Sequence, residues 1–384
     1  MSIAIIGGGI GGLTTANALL RKGFNVQVYE KAQSLRSIGA GLSLTPNGLN
    51  SLNAIQPGIV EVLKHAGSLL HTLTLKRSTG ETIASNPMTL MQQYGQPILN
   101  IQWSKLQAIL ALRLPSDIIH FNHRCVGFEQ ENDQITVYFA HQKSIQPDLL
   151  IGADGINSVV RQTLVGDGFP NFADRVSWRA VLQYHHELLP LNTSTLITTP
   201  DGKSFLLVDV GGGYIFWSAI APSADDFVHQ RATHPKTRVL ERFAEWVEPV
   251  GAIIEATPVE EIVEQPICDR PPLKHWSKGR ATLVGDAAHL VMPFLQQGAN
   301  MAFEDAYELA EYLSAAPDIE TALNVYEKSR IPRTTAIYDR TTAPDYHPYQ
   351  ADGKIMFNDM TEPSQMSQDE FETWLYGYTP SITH

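Results

Sequence analysis

Apolar and polar residues follow two periods along this chain of 384 residues, and each period predicts a different kind of element. The apolar run Ile3–Ile6 leads into a glycine-rich turn, after which residues 13–20 repeat apolar side chains at helical spacing. A second strand pattern, Asn25–Tyr29, follows and ends at Glu30. The order strand, tight turn, helix, strand predicts the start of a Rossmann-like α/β domain.

Strict alternation replaces the helical period in two later stretches, from about Leu73 to Met88 and from Val176 to Ile262. We expect these stretches to form an antiparallel sheet, backed by a helix from Arg238 to Glu248. The clearest strand patterns are Thr72–Lys76, Trp178–Tyr184, Ser204–Val208 and Tyr214–Ala219. After Pro332 the chain becomes polar and rich in loops.

The first turn has the pattern Gly7-x-Gly9-x-x-Gly12, which is typical of dinucleotide-binding proteins. Glycine lets the backbone turn sharply and approach a pyrophosphate, whose charge is stabilised at the positive end of a helix. Glu30 ends the second strand, where a carboxylate can accept hydrogen bonds from ribose hydroxyls, and Lys31 beside it is a further candidate contact. A glycine turn with a surface glutamate is the purely structural alternative, and the turn alone does not distinguish NAD from FAD.

Two further apolar strands end in an acid beside a glycine, at Gly152-Ala-Asp154-Gly155 and at Gly285-Asp286. Together with the glycine turn, these segments resemble the three motifs of the para-hydroxybenzoate hydroxylase family of flavoprotein monooxygenases. The likeness extends to Pro46-Asn47-Gly48 and to Tyr326-x-x-x-Arg330-x-Pro332-Arg333, so that it covers nearly the whole chain. The C-terminal segments are similar to those of the salicylate, 3-hydroxybenzoate and 6-hydroxynicotinate hydroxylases.

The resemblance implies FAD as the bound cofactor and NAD(P)H as the reductant. It places Asp286 on the ribityl chain of FAD and Asp154 near the pyrophosphate, with a further possible role toward NAD(P)H. It also implies that Gly298, Ala299 and Asn300 begin a helix, Met301–Leu313, whose N-terminus faces the flavin pyrimidine and favours negative charge there. His289 and Asp305 are expected to be ordinary polar residues of this region.

One position departs from the family, because its usual arginine in the pattern Arg-x-x-Leu is replaced by Trp103. Gln102 beside it could supply one neutral hydrogen bond to the cofactor. The lost charge-assisted contact would cost about 1–2 kcal/mol of FAD binding. Trp103 itself either stacks on the cofactor or packs in the core.

The resemblance also implies a domain division. The FAD-binding domain, of the GR2 (glutathione reductase) type, would comprise residues 1–72, 96–175 and 268–345. An inserted antiparallel-sheet substrate domain would comprise residues 73–95 and 176–267. The remaining residues, 346–384, would form a C-terminal extension of loops, helical at most from Met366 to Trp374.

Candidates for catalysis are Pro293, expected beside the flavin C4a atom, Gln297 in the same loop, and Tyr184 and His186 on the sheet. Alternation places Tyr184 and His186 on one face with Trp178, and His185 on the other with Arg179. For the sheet residues, a solvated or packing role is the structural alternative. The catalytic His and Tyr that several family members place on the strand Ser204–Val208 are not present in this sequence.

Composition limits the partners. A net charge of −12 argues against nucleic acid and against an acidic membrane surface. The two cysteines, Cys125 and Cys268, offer neither a disulfide framework nor metal-ligand spacing, so we expect no metal site. Without a basic leader or a long apolar span, the sequence predicts a cytoplasmic protein, monomeric or homodimeric.

The predicted function is an FAD-dependent, NAD(P)H-consuming monooxygenase that uses O2 to hydroxylate a small aromatic or heteroaromatic compound. The resemblance implies a flavin C4a-hydroperoxide as the oxygen donor. Three alternatives stay open: oxygenation of a larger polycyclic or antibiotic-like substrate, a flavin-bound protein that binds or shields an intermediate without hydroxylating it, and a plain NAD-binding dehydrogenase, which Gly285-Asp286 disfavours.

Overall fold

A computed structural model of the chain describes residues 1–35, 39–131, 134–223, 234–342 and 366–380. Its strands are β1 (Ser2–Ile6), β2 (Asn25–Tyr29), β3 (Gly41–Leu44), β4 (Ser68–Leu69), β5 (Thr72–Arg77), β6 (Thr82–Pro87), β7 (Leu99–Gln102), β8 (Ile119–His120), β9 (Cys125–Glu131), β10 (Gln134–Phe139), β11 (Leu149–Gly152), β12 (Asn171–Gln183), β13 (Thr193–Thr198), β14 (Ser204–Asp209), β15 (Tyr214–Pro222), β16 (Val263–Asp269) and β17 (Ala281–Leu283). Its helices are α1 (Ile10–Arg21), α2 (Pro46–Ile55), α3 (Ile59–Ala66), α4 (Leu90–Tyr94), α5 (Trp103–Ala111), α6 (Val159–Leu164), α7 (Pro235–Phe243), α8 (Val250–Ala256), α9 (Asp286–His289), α10 (Gly298–Ala315), α11 (Ile319–Thr342) and α12 (Gln368–Tyr376).

A five-stranded parallel sheet forms the first half of the fold, in the order β17-β11-β1-β2-β8. Its central strands β1 and β11 are almost entirely buried, which explains why they appear in the sequence as continuous apolar runs. The predicted strands β1 and β2 and the helix after the glycine turn are confirmed. Because all five strands run the same way, their carboxyl ends meet at one edge of the sheet.

A seven-stranded sheet forms the second half, in the order β16-β12-β15-β14-β13-β5-β6. The prediction of an antiparallel sheet is wrong at one pair, since β13 and β5 run parallel. Strand β5 comes from a segment far earlier in the chain, so no tight hairpin forces it to run antiparallel to its neighbour. The helix predicted from Arg238 to Glu248 is observed as α7, which is shorter and ends at Phe243.

Both sheets are covered by helices. Helices α7 and α8 pack on one face of the seven-stranded sheet, where Trp178 and Trp217 are fully buried against Phe243 and its neighbours. Helix α10 lies between α1, α2 and α11 in the larger core around the parallel sheet. The C-terminal helix α12 confirms the helix predicted near Met366–Trp374, and residues 346–365 and 381–384 of that extension lie outside the described residues.

The strands of the seven-stranded sheet fall within residues 72–87 and 171–269, and the division into domains stays a prediction. Cys125 and Cys268 are free thiols. Burial raises the pKa of the Cys125 thiol to about 11, so that it is protonated at neutral pH. Within the described ranges, no helix is both long and apolar enough to cross a membrane.

Candidate functional site

The glycine turn lies at the carboxyl edge of the parallel sheet, between β1 and α1. Gly7 has φ of +111°, and a Cβ there would lie 2.3 Å from the carbonyl oxygen of Ala153. A Cβ at Gly12 would lie 2.0 Å from the Gly7 carbonyl oxygen. A Cβ at Gly9, by contrast, would have no heavy atom within 4 Å. Gly7 and Gly12 are therefore required by the fold, while Gly9 leaves space at the N-terminus of α1.

The Glu30 carboxylate lies beside this turn. It accepts hydrogen bonds from the backbone N–H of Gly8 at 2.7 Å and of Ala32 at 2.8 Å. These bonds hold the carboxylate in place while leaving further oxygen lone pairs for a ligand. Lys31, the next residue, is exposed.

The side chain of Asp154 is turned toward the protein rather than toward the cleft. It accepts hydrogen bonds from Ser158 Oγ at 2.5 Å and from the backbone N–H of Val159 and Val160 at 2.7 and 3.2 Å, all at the start of α6. Burial raises the pKa of this carboxyl in spite of those bonds. Asp154 thus stabilises the N-terminus of α6, and its predicted direct contact with the cofactor is not supported by its side-chain bonds.

Asp286 has the opposite environment. Asp286 is exposed to solvent, yet many protein atoms surround its carboxyl, and the resulting desolvation raises its pKa. No described residue donates a hydrogen bond to its carboxylate. The position of a Cβ at Gly298, the first residue of α10, lies 3.6 Å from Asp286 Oδ1. Asp286 and the N-terminus of α10 therefore adjoin, with the carboxylate free to accept bonds from a ligand.

Gln102 is buried at the end of β7, and its Nε2 atom has no partner among the described residues. An unpaired buried donor is costly, so a ligand acceptor at this position would stabilise the site. Trp103 begins α5, donates its backbone N–H to the Ala40 carbonyl oxygen at 2.8 Å, and packs partly buried against the main core. Its role in the described structure is packing.

Gln297 and Asn300 have their side chains directed inward, and their predicted roles toward substrate and cofactor stay predictions. Gln297 is fully buried, and its amide bonds to Asn47 Nδ2 at 2.9 Å and to Thr45 Oγ1 at 3.2 Å. The amide of Asn300 bonds to the backbone of Ser43, Thr45 and Gln296. Both side chains join the start of α10 to the segment that leads into α2. The groups that α10 can offer to a ligand are therefore the backbone N–H groups of Gly298 and Ala299.

Asn47, Glu304 and Arg333 extend this network, although no function for them follows from the sequence alone. Glu304 is fully buried and accepts from Asn47 Nδ2 at 2.7 Å and from Arg333 Nε at 2.7 Å. Arg333 also donates to the carbonyl oxygens of Trp374 and Leu375 in α12. Of the three, only Asn47 and Arg333 lie in sequence segments that resemble the family.

The loop at Pro293 is held between this network and α12. Pro293 and Gln296 are exposed, whereas Leu295 is buried in a cluster with Phe371 and Leu375. Gln296 adopts φ of +55°. The loop therefore presents Pro293 outward from a fixed base, as its predicted position beside a bound ring requires.

Tyr184 and His186 do not meet this loop. Strand β12 ends at Gln183, and both residues follow it in a loop. Tyr184 packs against the cluster of α7 and α8, on the same face as Trp178, as alternation predicted. The opposite face meets β3, because a Cβ at Gly41 would lie 2.6 Å from Phe216 Cγ. Tyr184 thus packs on the α7 and α8 side, with His186 stacked on it, and a catalytic role for either residue stays a prediction.

The described residues fit FAD. Gly9 leaves open space at a helix N-terminus for a pyrophosphate, and Glu30 has lone pairs for ribose hydroxyls. Asp286 offers an acceptor, and Gln102 a donor, that have no partner among the described residues. The order of the parallel sheet places Gly9, Glu30 and Asp286 beyond the carboxyl ends of its strands, where one extended dinucleotide can contact them.

Comparisons with known proteins agree with this reading. The model of the FAD binding domain family matches residues 1–341. The chain is 33% identical to the aurachin C monooxygenase/isomerase of Stigmatella aurantiaca over 87% of this chain and 86% of that protein. It is also 33% identical to the 3-amino-4-hydroxybenzoate 2-monooxygenase PtnB3 of Streptomyces platensis, over 98% and 96% of the two chains.

Among solved structures, the chain is similar to Klebsiella pneumoniae HpxO complexed with FAD and uric acid. The TM-score is 0.82 at 28% identity, covering 90% of each chain. The resemblance to the para-hydroxybenzoate hydroxylase family is thereby confirmed. The chain belongs to the FAD-binding family of aromatic hydroxylases.

Proposed function

We propose that the protein is an FAD-dependent monooxygenase that uses NAD(P)H and O2 to hydroxylate a small aromatic or heteroaromatic compound. The observation that carries the proposal is the pairing of Asp286, a carboxylate without a donor in the described chain, with the start of α10 at the edge where Gly9 and Glu30 lie. The overall reaction converts an aromatic C–H, O2, NAD(P)H and one proton into C–OH, NAD(P)+ and water.

Bound FAD would supply the redox chemistry, accepting two electrons from NAD(P)H and activating O2. The protein's own part is positioning and electrostatics. The N–H groups of Gly298 and Ala299 at the start of α10 provide a positive field that favours negative charge on a neighbouring ring. The network of Gln297, Asn47 and Glu304 fixes the end of the loop that carries Pro293.

The face of the seven-stranded sheet opposite α7 and α8 covers this region and limits access of water. Its Phe216 side chain directly contacts the backbone at Gly41 in β3. Similarity to 3-amino-4-hydroxybenzoate and 3-hydroxybenzoate hydroxylases supports a small aromatic substrate over a larger polycyclic one.

The test is oxidation of NADH and of NADPH by the FAD-loaded protein in the presence of hydroxybenzoates, hydroxynicotinates and polycyclic phenols. Hydrogen peroxide is quantified in parallel, and products formed under isotopically labelled O2 are analysed by mass spectrometry. We expect one small aromatic compound to accelerate oxidation many-fold and to gain one labelled oxygen atom.

Two outcomes would contradict the proposal in different ways. Labelled product from polycyclic phenols alone would identify a protein for larger substrates. Slow turnover that yields only peroxide, with no labelled product from any compound, would identify a flavoprotein that does not hydroxylate.

A further inference from the structure

Helix α9 is only one turn long, and it carries Asp286 at its first position. The backbone N–H groups of Ala288 and His289 donate to the Gly285 carbonyl oxygen at 2.8 and 3.0 Å. Because a helix this short forms few internal hydrogen bonds, it is not stable in isolation. The orientation of α9, and with it that of the Asp286 side chain, is therefore fixed by contacts with other elements.

One carboxylate, that of Asp305 in α10, contacts both ends of α9. Its Oδ2 atom accepts the backbone N–H of Gly285, the residue that precedes α9, at 3.0 Å. The same oxygen lies 2.6 Å from Nε2 of His289, the last residue of α9. Asp305 is fully buried and His289 is 5% exposed, so bulk water does not compete for these bonds. Asp305 thus fixes the start and the end of α9 against α10.

Asp305 is itself held in place from α11, because Arg330 Nε donates to its other oxygen, Oδ1, at 2.8 Å. Along α10, Asp305 follows Gly298 by seven residues, which is about two turns, so that both residues lie on one face of the helix. The position of a Cβ at Gly298 is the one that lies 3.6 Å from Asp286 Oδ1. The same face of α10 therefore adjoins the Asp286 carboxylate and binds both ends of the helix that carries it.

A second contact holds the C-terminal end of α9. Arg161 Nη1 donates to the carbonyl oxygens of Ala287 and Ala288 at 3.1 and 3.0 Å. A carboxylate at the start of α9 and a guanidinium at its end both complement the helix dipole. The two contacts differ in position, because Arg161 reaches the carbonyl groups after Asp286 whereas Asp305 reaches the N–H group directly before it.

The imidazole of His289 depends on Asp305 for its polar contact. Its Nδ1 atom has no hydrogen-bond partner among the described residues, so the bond from Nε2 to Asp305 determines how the ring is held. His289 also acts on Asp286 through space. Burial raises the pKa of Asp286, and positive charge on His289 opposes that rise.

We propose that Asp305 and His289 are positioning residues of the cofactor site, which hold α9 so that Asp286 presents its carboxylate to a hydroxyl group of bound FAD. The inference rests on the part of the proposed function that makes Asp286 a contact of FAD, and it does not depend on hydroxylation. Neither Asp305 nor His289 touches the ligand, and each acts through Asp286. Alignment matters because a charge-assisted hydrogen bond weakens steeply when its angle departs from linear.

The experiment is a double-mutant cycle on the affinity of the full chain for FAD. FAD is titrated into the FAD-free protein, Kd is measured from quenching of flavin fluorescence, and each variant is also unfolded in urea. His289→Leu removes the bond to Asp305, and Asp286→Asn removes the charged acceptor. His289→Gln is the conservative variant, because its amide can still donate to Asp305. The control is His275→Leu, since His275 also contacts a carboxylate, that of Glu327, but is exposed and lies outside α9.

We expect His289→Leu to raise the Kd of FAD about 3- to 10-fold, because a positioning residue contributes no more than the charged hydrogen bond that it aligns. In the Asp286→Asn background the same substitution should change Kd less than about twofold, since that bond is already weakened. His289→Gln should restore most of the affinity, and His275→Leu should leave Kd unchanged.

A purely structural role of His289 gives a different result. General destabilisation weakens FAD binding whatever side chain stands at position 286, so the two effects on Kd would multiply in the double variant. Multiplying effects, a native Kd in His289→Leu, or equal Kd values for His289→Leu and His289→Gln would overturn the proposal.

Asp305→Glu tests the same contact if His289→Leu does not fold. It keeps a carboxylate for Arg330 but moves the acceptor by one methylene group, so we expect a raised Kd and the same dependence on Asp286. A native Kd in Asp305→Glu, or an increase that is unchanged in the Asp286→Asn background, would also overturn the proposal.

Failure of the proposal is separable from failure of the proposed function. If Asp286→Asn raises Kd but His289→Leu does not, the positioning role fails and the contact of Asp286 with FAD stands. If Asp286→Asn leaves Kd unchanged, both fail. If the cycle shows the expected coupling but no substrate gains oxygen, hydroxylation fails and the positioning role stands.

Discussion

Replacing Gly9 with alanine would show whether this glycine is required for ligand binding, in contrast to Gly7 and Gly12, which the fold requires. Gly9 has an extended backbone, with φ of −76° and ψ of −178°, and its added Cβ would have no heavy atom within 4 Å. The methyl group would instead stand in the open space at the N-terminus of α1, where a pyrophosphate must approach the backbone. We therefore expect Gly9→Ala to spare folding and to weaken FAD binding.

The magnitudes follow from the local geometry. At Gly9, the lower entropy of the unfolded alanine chain roughly offsets the loss of a preferred N-cap residue, so the free energy of unfolding should stay within about 1 kcal/mol of the original. Overcrowding of the ligand by one methyl group costs about 1–3 kcal/mol, which corresponds to about a 5- to 150-fold increase in the Kd of FAD.

Gly7→Ala should show the reverse. Its φ of +111° adds about 1–2 kcal/mol of strain for alanine. The overlap of its Cβ with the Ala153 carbonyl oxygen at 2.3 Å adds about 1–3 kcal/mol more. Gly23→Ala is the matched control, because Gly23 has φ of +83° with no heavy atom near its Cβ, so that only the strain remains.

The assay is urea denaturation of the FAD-free variants, followed by titration with FAD monitored by quenching of flavin fluorescence. Native-like FAD affinity in Gly9→Ala, or a loss of stability there as large as in Gly7→Ala, would refute the reasoning. Loss of FAD binding in Gly23→Ala would also show that the assay reports general destabilisation.

Three further predictions concern buried charges. Glu304→Gln should lower the free energy of unfolding by about 3–5 kcal/mol, because it leaves the buried guanidinium groups of Arg330 and Arg333 short of a counterion. As the control, Glu311→Gln at the surface pair with Lys22 should cost at most about 1 kcal/mol. Equal effects of the two substitutions in urea denaturation would contradict this. For Asp305, burial alone would raise the pKa, but the contacts with its cationic neighbours outweigh burial and lower it to about 2. Because the folded pKa lies below the unfolded value of about 3.9, Asp305 contributes about 2–3 kcal/mol above that value, and this stability is lost as pH falls toward about 2. Asp305→Asn should flatten the stability profile in that window, and an unchanged slope would be evidence against the assignment. Asp286→Asn should raise the Kd of FAD about tenfold, since a neutral amide accepts a weaker hydrogen bond than a carboxylate does. The free energy of unfolding should not fall. If titration of FAD into this variant gives the native Kd, Asp286 does not contact the ligand.

The sequence by itself determined the parts of the fold that depend on neighbouring residues. Strand β1, the glycine turn and helix α1 follow from an apolar run, residues that tolerate unusual φ, and a helical period, all within the first 21 residues. Strand β2 was likewise predicted with the bounds that the structure has, and its terminal Glu30 lies beside the turn as its position implied. Local propensity was sufficient because each of these signals is complete within one short segment.

Only the tertiary structure decided which way the polar side chains of the site point. Gln297 bonds to Asn47, which lies 250 positions away, and that bond directs its amide into the protein. Alternation along β12 correctly separated Tyr184 from Arg179, yet it could not tell which face would be covered by α7 and α8. That choice depends on packing between elements distant in sequence. It is the reason that Tyr184 lies on the side of α7 and α8, while Phe216, on the other face of the sheet, meets β3.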